Sequence, residues 1–253
     1  MPGDNEVLSI RHLRKALTVT CKLNRQQHMT DKIEQFFEAY WTKEMKSVYT
    51  EEVPKEMMAS AVDKDGWYEW KPVPGTLTVD DYKKLEAKFK AIFPDNFIEW
   101  HKRYFFADCD CSIIRLPYSL PTRPLEKIID NLDWYISEQL IPIGLVPFAD
   151  DGNDVGPLVF DTRNQTNKDD FPIRVYDHEY GGDLEGLSEV IFSSFTKLLE
   201  CLTHFLNETK TRKRFDVIAD FFNIDPQGAG TTGISYWTCW IEMERANYEE
   251  FGY

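Results

Sequence analysis

The stretch VPFADDGNDVGPLVFD, Val146 to Asp161, sets Asp150, Asp151 and Asp154 between two apolar runs. Carboxylates this dense can bind calcium, move protons or simply face water. A calcium loop needs oxygen ligands at alternating positions and a distal bidentate acid. Here the glycine comes too early and no glutamate follows at the matching distance. A catalytic carboxylate pair needs a nucleophile or a metal triad to work with, and the neighbouring sequence supplies neither. The remaining reading is a turn between two strands, with Gly152 and Asn153 taking the positive φ values that other residues resist.

Two further clusters invite a chemical reading. Asp177-His178-Glu179 sets a histidine between acids, as a general base could be. It follows a strand, however, and no motif places a serine or cysteine with it, so a satisfied strand-end histidine is expected. Cys109-Asp110-Cys111 has the C-x-C spacing of a half zinc site. A closed site needs about four ligands, and no second Cys/His pair has matching spacing, so plain thiols are expected. Gly181-Gly182 and Gly228-Ala229-Gly230 match no phosphate-binding pattern. His101 and His204 read as ordinary helix-face residues. No catalytic residue, cofactor or metal is expected from these patterns.

Charge gives the stronger signal. The 253 residues carry a formal net charge of -14. Nucleic-acid binders gain affinity by neutralising phosphates with Lys and Arg, so this balance argues against DNA or RNA as partner. It favours attraction to basic surfaces. Asp150 to Glu185 alone holds ten acids against three bases, half of the net charge. No run approaches the ~18–20 apolar residues that span a bilayer. The first 19 residues lack an apolar leader core, and the five cysteines are odd in number and scattered. A cytoplasmic location and no membrane partner are the expectation.

The elements that must position these residues read as helices first, then strands, then helices. Apolar residues from Met29 to Val48 predict one helix over Gln26 to Val48. Asp63 to Gly75, with prolines at 72 and 74, reads as an extended linker. Thr78 caps a helix with Asp80 and Asp81 in its first turn. Phe93-Pro94 ends it and opens another, whose buried face carries Phe97 and Trp100. Strands are predicted at Ser112 to Leu116, Ile141 to Phe148, Leu158 to Asp161 and Phe171 to Tyr176. Pro142 and Pro147 push the second toward a sheet edge or a strand end. A helix lies between the first two strands, over Pro124 to Gln139. A long helix opens near Ser193 or Ser194, with Phe195, Leu198, Leu199, Leu202, Phe205 and Leu206 inward. Another is expected from Lys213 to Phe222, and ISYWTCWIEM reads as either a strand or a short helix. The fold class is α+β, a mostly antiparallel or mixed central sheet covered by helices. The organisation expected is a helical extension over 1–62 packed on the core, a central domain over 63–210, and a C-terminal extension of that domain over 211–253.

The ordered pieces KKLEAKFKAIFPDNFIEWHKRY, IPIGLVPFADDGNDVGPLVFDTR, FPIRVYDHEYGGD and SSFTKLLECLTHFL, led by GWYEWKPVPG, resemble the SUKH superfamily. That superfamily includes fungal cell-wall and glucan-synthesis regulators and bacterial toxin-immunity proteins. The likeness covers roughly Gly66 to Leu206. It departs at FFADCDCS, where the family often has an Asn-Gly-Gly turn. The resemblance implies a SUKH-like fold and a non-catalytic, protein-binding function. The first expectation is a bacterial cytoplasmic immunity protein that neutralises a polymorphic, nuclease-type toxin by binding it. A regulatory scaffold of the cell-wall type is the alternative. For a basic toxin domain as partner, the expected contact residues are Asp150, Asp151, Asp154, Asp169, Asp170, Asp177 and Glu179. An acidic face would mimic the phosphate charge that a nuclease expects and speed association.

Overall fold

A computed structural model describes residues 27–51, 53–165 and 168–252. Gln26, Cys21 and the N-terminal segment read for a leader lie outside the described residues. The first described element, α1, covers 27–40. Its Phe37 ring stacks on Trp100, with centroids 6.0 Å apart. The helix therefore belongs to the main core, as its aromatic stripe requires. It stops at Tyr40 and does not reach Val48. Instead Lys46–Val48 forms β1, paired antiparallel with β2, Trp67–Glu69. The supposed linker is thus folded. Tyr68 and Trp70 are buried, and β3, Val73–Pro74, pairs with β4, Tyr104–Phe105. The prolines exclude a helix but permit short strands that need few ladder donors.

Local signals hold better further on. Helix α2 spans Val79–Phe89, and the Asp81 carboxylate accepts the Thr78 backbone N–H at 2.9 Å. Pro94 is the N-cap residue of α3, Asp95–His101. His101 corrects the expectation of an ordinary face residue. It is fully buried with Nδ1 2.6 Å from the Tyr82 hydroxyl, and burial pushes its pKa down to about 3.

The main sheet is four-stranded and antiparallel, in the order β5-β6-β7-β8. Its strands are Ile114–Arg115, Leu145–Asp151, Pro157–Asp161 and Ile173–Val175. Strand β6 is central and not at an edge, while Pro142 falls just before it, in keeping with the other expectation of a strand end. Pro147 is accommodated because the register shifts between Pro147 and Ala149, and a bulge relieves the ladder of a donor that proline lacks. Helices cover the sheet on both faces. On one face Phe148 and Phe160 stack at 3.8 Å, and Phe97 of α3 meets Phe148 at 5.6 Å. Helix α6, Phe195–Glu208, buries Phe195, Leu198, Leu199, Leu202, Phe205 and Leu206 against the same core. Each such buried side chain contributes about 1.5–3 kcal/mol. On the other face Leu145, Val159 and Tyr176 pack with Ile136 and Leu140. The helix expected over Pro124 to Gln139 is two short ones, α4, Glu126–Leu132, and α5, Ser137–Leu140.

The C-terminal chain is helical. Arg214–Ala219 and Phe221–Ile224, α7 and α8, replace the single helix expected there. ISYWTCWIEM opens α9, Ile234–Phe251. Trp237 and Trp240 are buried, and Trp237 meets Phe192 and Phe221 at 5.0 Å each. One core cluster thus runs from Met29 to Trp240. The result is a mixed α and β fold with small antiparallel sheets.

Candidate protein-binding surface

The β6–β7 connection is the turn anticipated from DDGND, but its backbone is arranged differently. Positive φ falls at Asp154 (62°) and Gly156 (149°), not at Gly152 or Asn153. Short polar Asp tolerates the left-handed region. Gly152 is needed for space, since a Cβ there would lie 2.3 Å from the Ser112 carbonyl oxygen. The Arg115 guanidinium donates to the Gly152 carbonyl at 3.1 Å. A one-sided carboxylate, Asp151, then locks the turn from within. It accepts the Asn153 N–H at 2.7 Å and the Tyr236 hydroxyl of α9. Burial first, and the Asp151 charge second, raise the Tyr236 pKa well above the usual phenol range. Asp151 is 1% exposed, so it is a clamp and not a partner contact.

The remaining expected contacts divide by position. Asp154 and Glu179 are exposed, and neither carboxylate has an ion-pair partner among the described residues. Asp150 is half-buried, with Lys127 at 3.2 Å. Asp177 accepts the Glu179 N–H at 3.0 Å and caps the short turn His178–Tyr180. These four sit together, because Leu158 pairs with Val175 and the His178 N–H reaches the Val155 carbonyl at 3.1 Å.

Asp169 and Asp170 do not join them. They precede β8 at the far end of β7, whose five residues span about 13 Å. Asp170 is a structural cap. It accepts N–H groups of Phe195 (2.6 Å) and Thr196 (3.0 Å) at the start of α6, the Thr196 hydroxyl (2.5 Å) and Asn96 Nδ2 (2.9 Å). Ser194 supplies the expected local cap, accepting from Lys197 N–H at 3.1 Å. Asp161 is likewise consumed, held by Arg163 at 2.7 Å and Arg174 at 2.8 Å. The ten carboxylates of 150–185 therefore do not form one continuous acidic face.

Sequence reading missed the opposite wall. Lys127, Asp130, Asn131 and Trp134 line a cleft of about 390 Å³ with Asp150, Asp154 and His178. Lys127, Asp130 and Asn131 lie on one side of α4, a spacing of three and four that was readable, and Trp134 follows in the break before α5. The turn's other flank is a second, more apolar cleft of about 490 Å³, lined by Val155, Tyr180, Leu187, Trp240 and Met243, with Asp177 and Glu185 at hand.

Other chemistry finds little support in these positions. The His178 imidazole makes no hydrogen bond to Asp177 or Glu179 among the described residues, since the Asp177 carboxylate is turned to the backbone. Cys109 and Cys111 are buried free thiols, and burial pushes the Cys109 pKa up. Among the described residues no group of three or more His, Cys, Asp or Glu side chains could hold a metal ion, and no helix is long and apolar enough to cross a membrane. No family model, curated protein or solved structure matches the chain.

Proposed function

We propose that this chain is a non-catalytic protein-binding domain of SUKH type, acting in the bacterial cytoplasm as an immunity protein. Its partner is a basic toxin domain of nuclease type, blocked by occlusion of its phosphate-binding surface. One observation carries the reading. Asp154, on the turn clamped by Asp151, and Glu179, on the short turn after β8, stand exposed and without ion-pair partners among the described residues, beside Asp150 and Asp177. Charges held on a rigid, low-dielectric support steer a basic partner and raise its association rate. The adjoining apolar cleft offers the desolvated contact area that holds a complex once formed. The order of helix pair, strand, acidic turn, strand and serine-capped helix also supports the SUKH assignment.

The test is recovery of partners from native lysate on the tagged full chain, at low and high salt. A basic toxin domain held at low salt and weakened at high salt is the expected result. Several partners indifferent to salt would replace this reading with the regulatory scaffold.

A further inference from the structure

The cleft between the β6–β7 turn and α9 joins an apolar floor to an acidic rim. Val155, Tyr180, Leu187, Trp240 and Met243 line about 490 Å³ of it, and Val155 and Tyr180 are 36% and 48% exposed. Asp177 and Glu185 line it too, and no lysine, arginine or histidine does. Asp154 and Glu179 stand exposed next in sequence to lining residues. The walls are tied together, since Asn153 Nδ2 donates to the Met243 sulfur at 3.1 Å and the Tyr236 hydroxyl to Asp151. Contiguous apolar surface with a polar rim marks an interaction site. This one calls for apolar side chains carried between bases.

The chain itself holds such a segment. Leu8 to Arg25, outside the described residues, has five bases and no acid, in a chain of net charge -14. Within it LSIRHLRKAL, Leu8 to Leu17, sets Ile10, Leu13 and Leu17 at the three- and four-residue spacing of one helix side. Arg11, Arg14 and Lys15 fall between them. Its length allows it to arrive. The segment leads into α1, which begins beside α6, where the Met29 sulfur accepts the Thr196 hydroxyl at 3.3 Å. Fourteen residues lie from Leu13 to Gln27, and such a stretch reaches about 45 Å when extended. Strand β7, which parts the α6 start from the turn, spans about 13 Å. Connection in one chain raises the local concentration of the segment without any new contact. The cleft beside α4 is the poorer seat, because Lys127 lines it and already engages Asp150.

We infer that residues 8–17 dock in the apolar cleft, with Leu13 and Leu17 on its Trp240 and Met243 floor and Arg11, Arg14 and Lys15 on its acidic rim. The chain thereby covers its own interaction surface until a partner with a stronger basic and apolar match displaces the segment. The docking goes beyond the proposed function and needs no partner to occur.

Cys239 reports on the cleft. It is exposed and lines the cleft, whereas the other described thiols are buried. In the full chain carrying Cys21→Ser, docking should shield Cys239 from N-ethylmaleimide, read by mass spectrometry. Labelling follows the open population, so Leu13→Asp, or Arg11→Glu with Arg14→Glu and Lys15→Glu, should speed it about fivefold. Cross-linking locates the contact. Leu13→Cys in the same background should join Cys239 within one chain through a short bis-maleimide, and the charge-reversed segment should lose that link. Equal labelling in parent and variants, no intrachain link, or links formed only between chains would each overturn the docking. A basic partner recovered from lysate, with Cys239 labelling indifferent to the variants, keeps the proposed function and removes the docking. Segment-dependent shielding without any basic partner keeps the docking and removes that function.

Discussion

The two ends of strand β7 hold the same residue type to opposite ends. At the Pro157 end, Asp154 and Glu179 keep carboxylates open to water. Beyond the Asp161 end, Asp170 spends its carboxylate on α6 and Asn96. Counting acids along a chain therefore overstates the charge a partner meets. What decides is where unpaired donors lie in space, and the start of a helix presents several at once. Asp170 found such a helix, whereas Asp154 found only solvent.

The largest test of this contrast is Asp170→Ala. It strands the Phe195 and Thr196 N–H groups and should cost about 3 kcal/mol, read as a lowered midpoint in urea denaturation. A loss below about 1 kcal/mol would place Asp170 with the surface acids. Next comes association. Charge reversal at Asp150, Asp154 and Glu179 together should slow binding of the basic partner about tenfold at low salt and flatten its salt dependence. Asp95→Asn at the opposite end, where the Asp95 N–H donates to the Lys168 carbonyl at 2.7 Å, should leave the stopped-flow rate unchanged.

Acid should separate the ends more gently. Burial works to raise the Asp161 pKa, but hydrogen bonds from Arg163 and then Arg174 win, bringing it down to about 2. A depressed folded-state value stabilises the protein above the unfolded carboxylate pKa of about 3.9. That contribution should fade as pH falls from about 4 toward 2, and Asp161→Asn should flatten the melting temperature across that window. The smallest effect is expected at Asp154→Asn, within about 0.5 kcal/mol of the parent on thermal melting, since Asn also accepts positive φ.

The sequence was most legible where structure is local. The α6 stripe, its Ser194 cap, the Thr78–Asp81 start and the break at Pro94 all depend on residues within a turn or two. Pairing across the chain was hidden. Lys46–Val48 continues a helical apolar pattern, but Trp67–Glu69 captures it as a strand. Pro147 argued for an edge because a bulge cannot be seen without the partner strand. Four of the expected contacts do gather at the turn. Asp151 is buried against Tyr236 and Asp170 caps α6, both long-range events, and Asp169 lies with Asp170 before β8 at the other end of the sheet. The face of Lys127, Asp130 and Asn131 was written in its spacing, yet nothing local said which element it would oppose.

Under the proposed function, the Asp151–Tyr236 bond would give α9 a part in recognition without touching a partner. It acts as a rivet through which the last helix holds the acidic turn taut. A Tyr236→Phe chain would retain every carboxylate of the turn and so its long-range pull. It would surrender the fixed shape of the turn, and with it the entropy already lost on folding, which an intact turn need not lose again when it docks. Attraction and grip would come apart: encounters as frequent as before, and complexes that let go sooner.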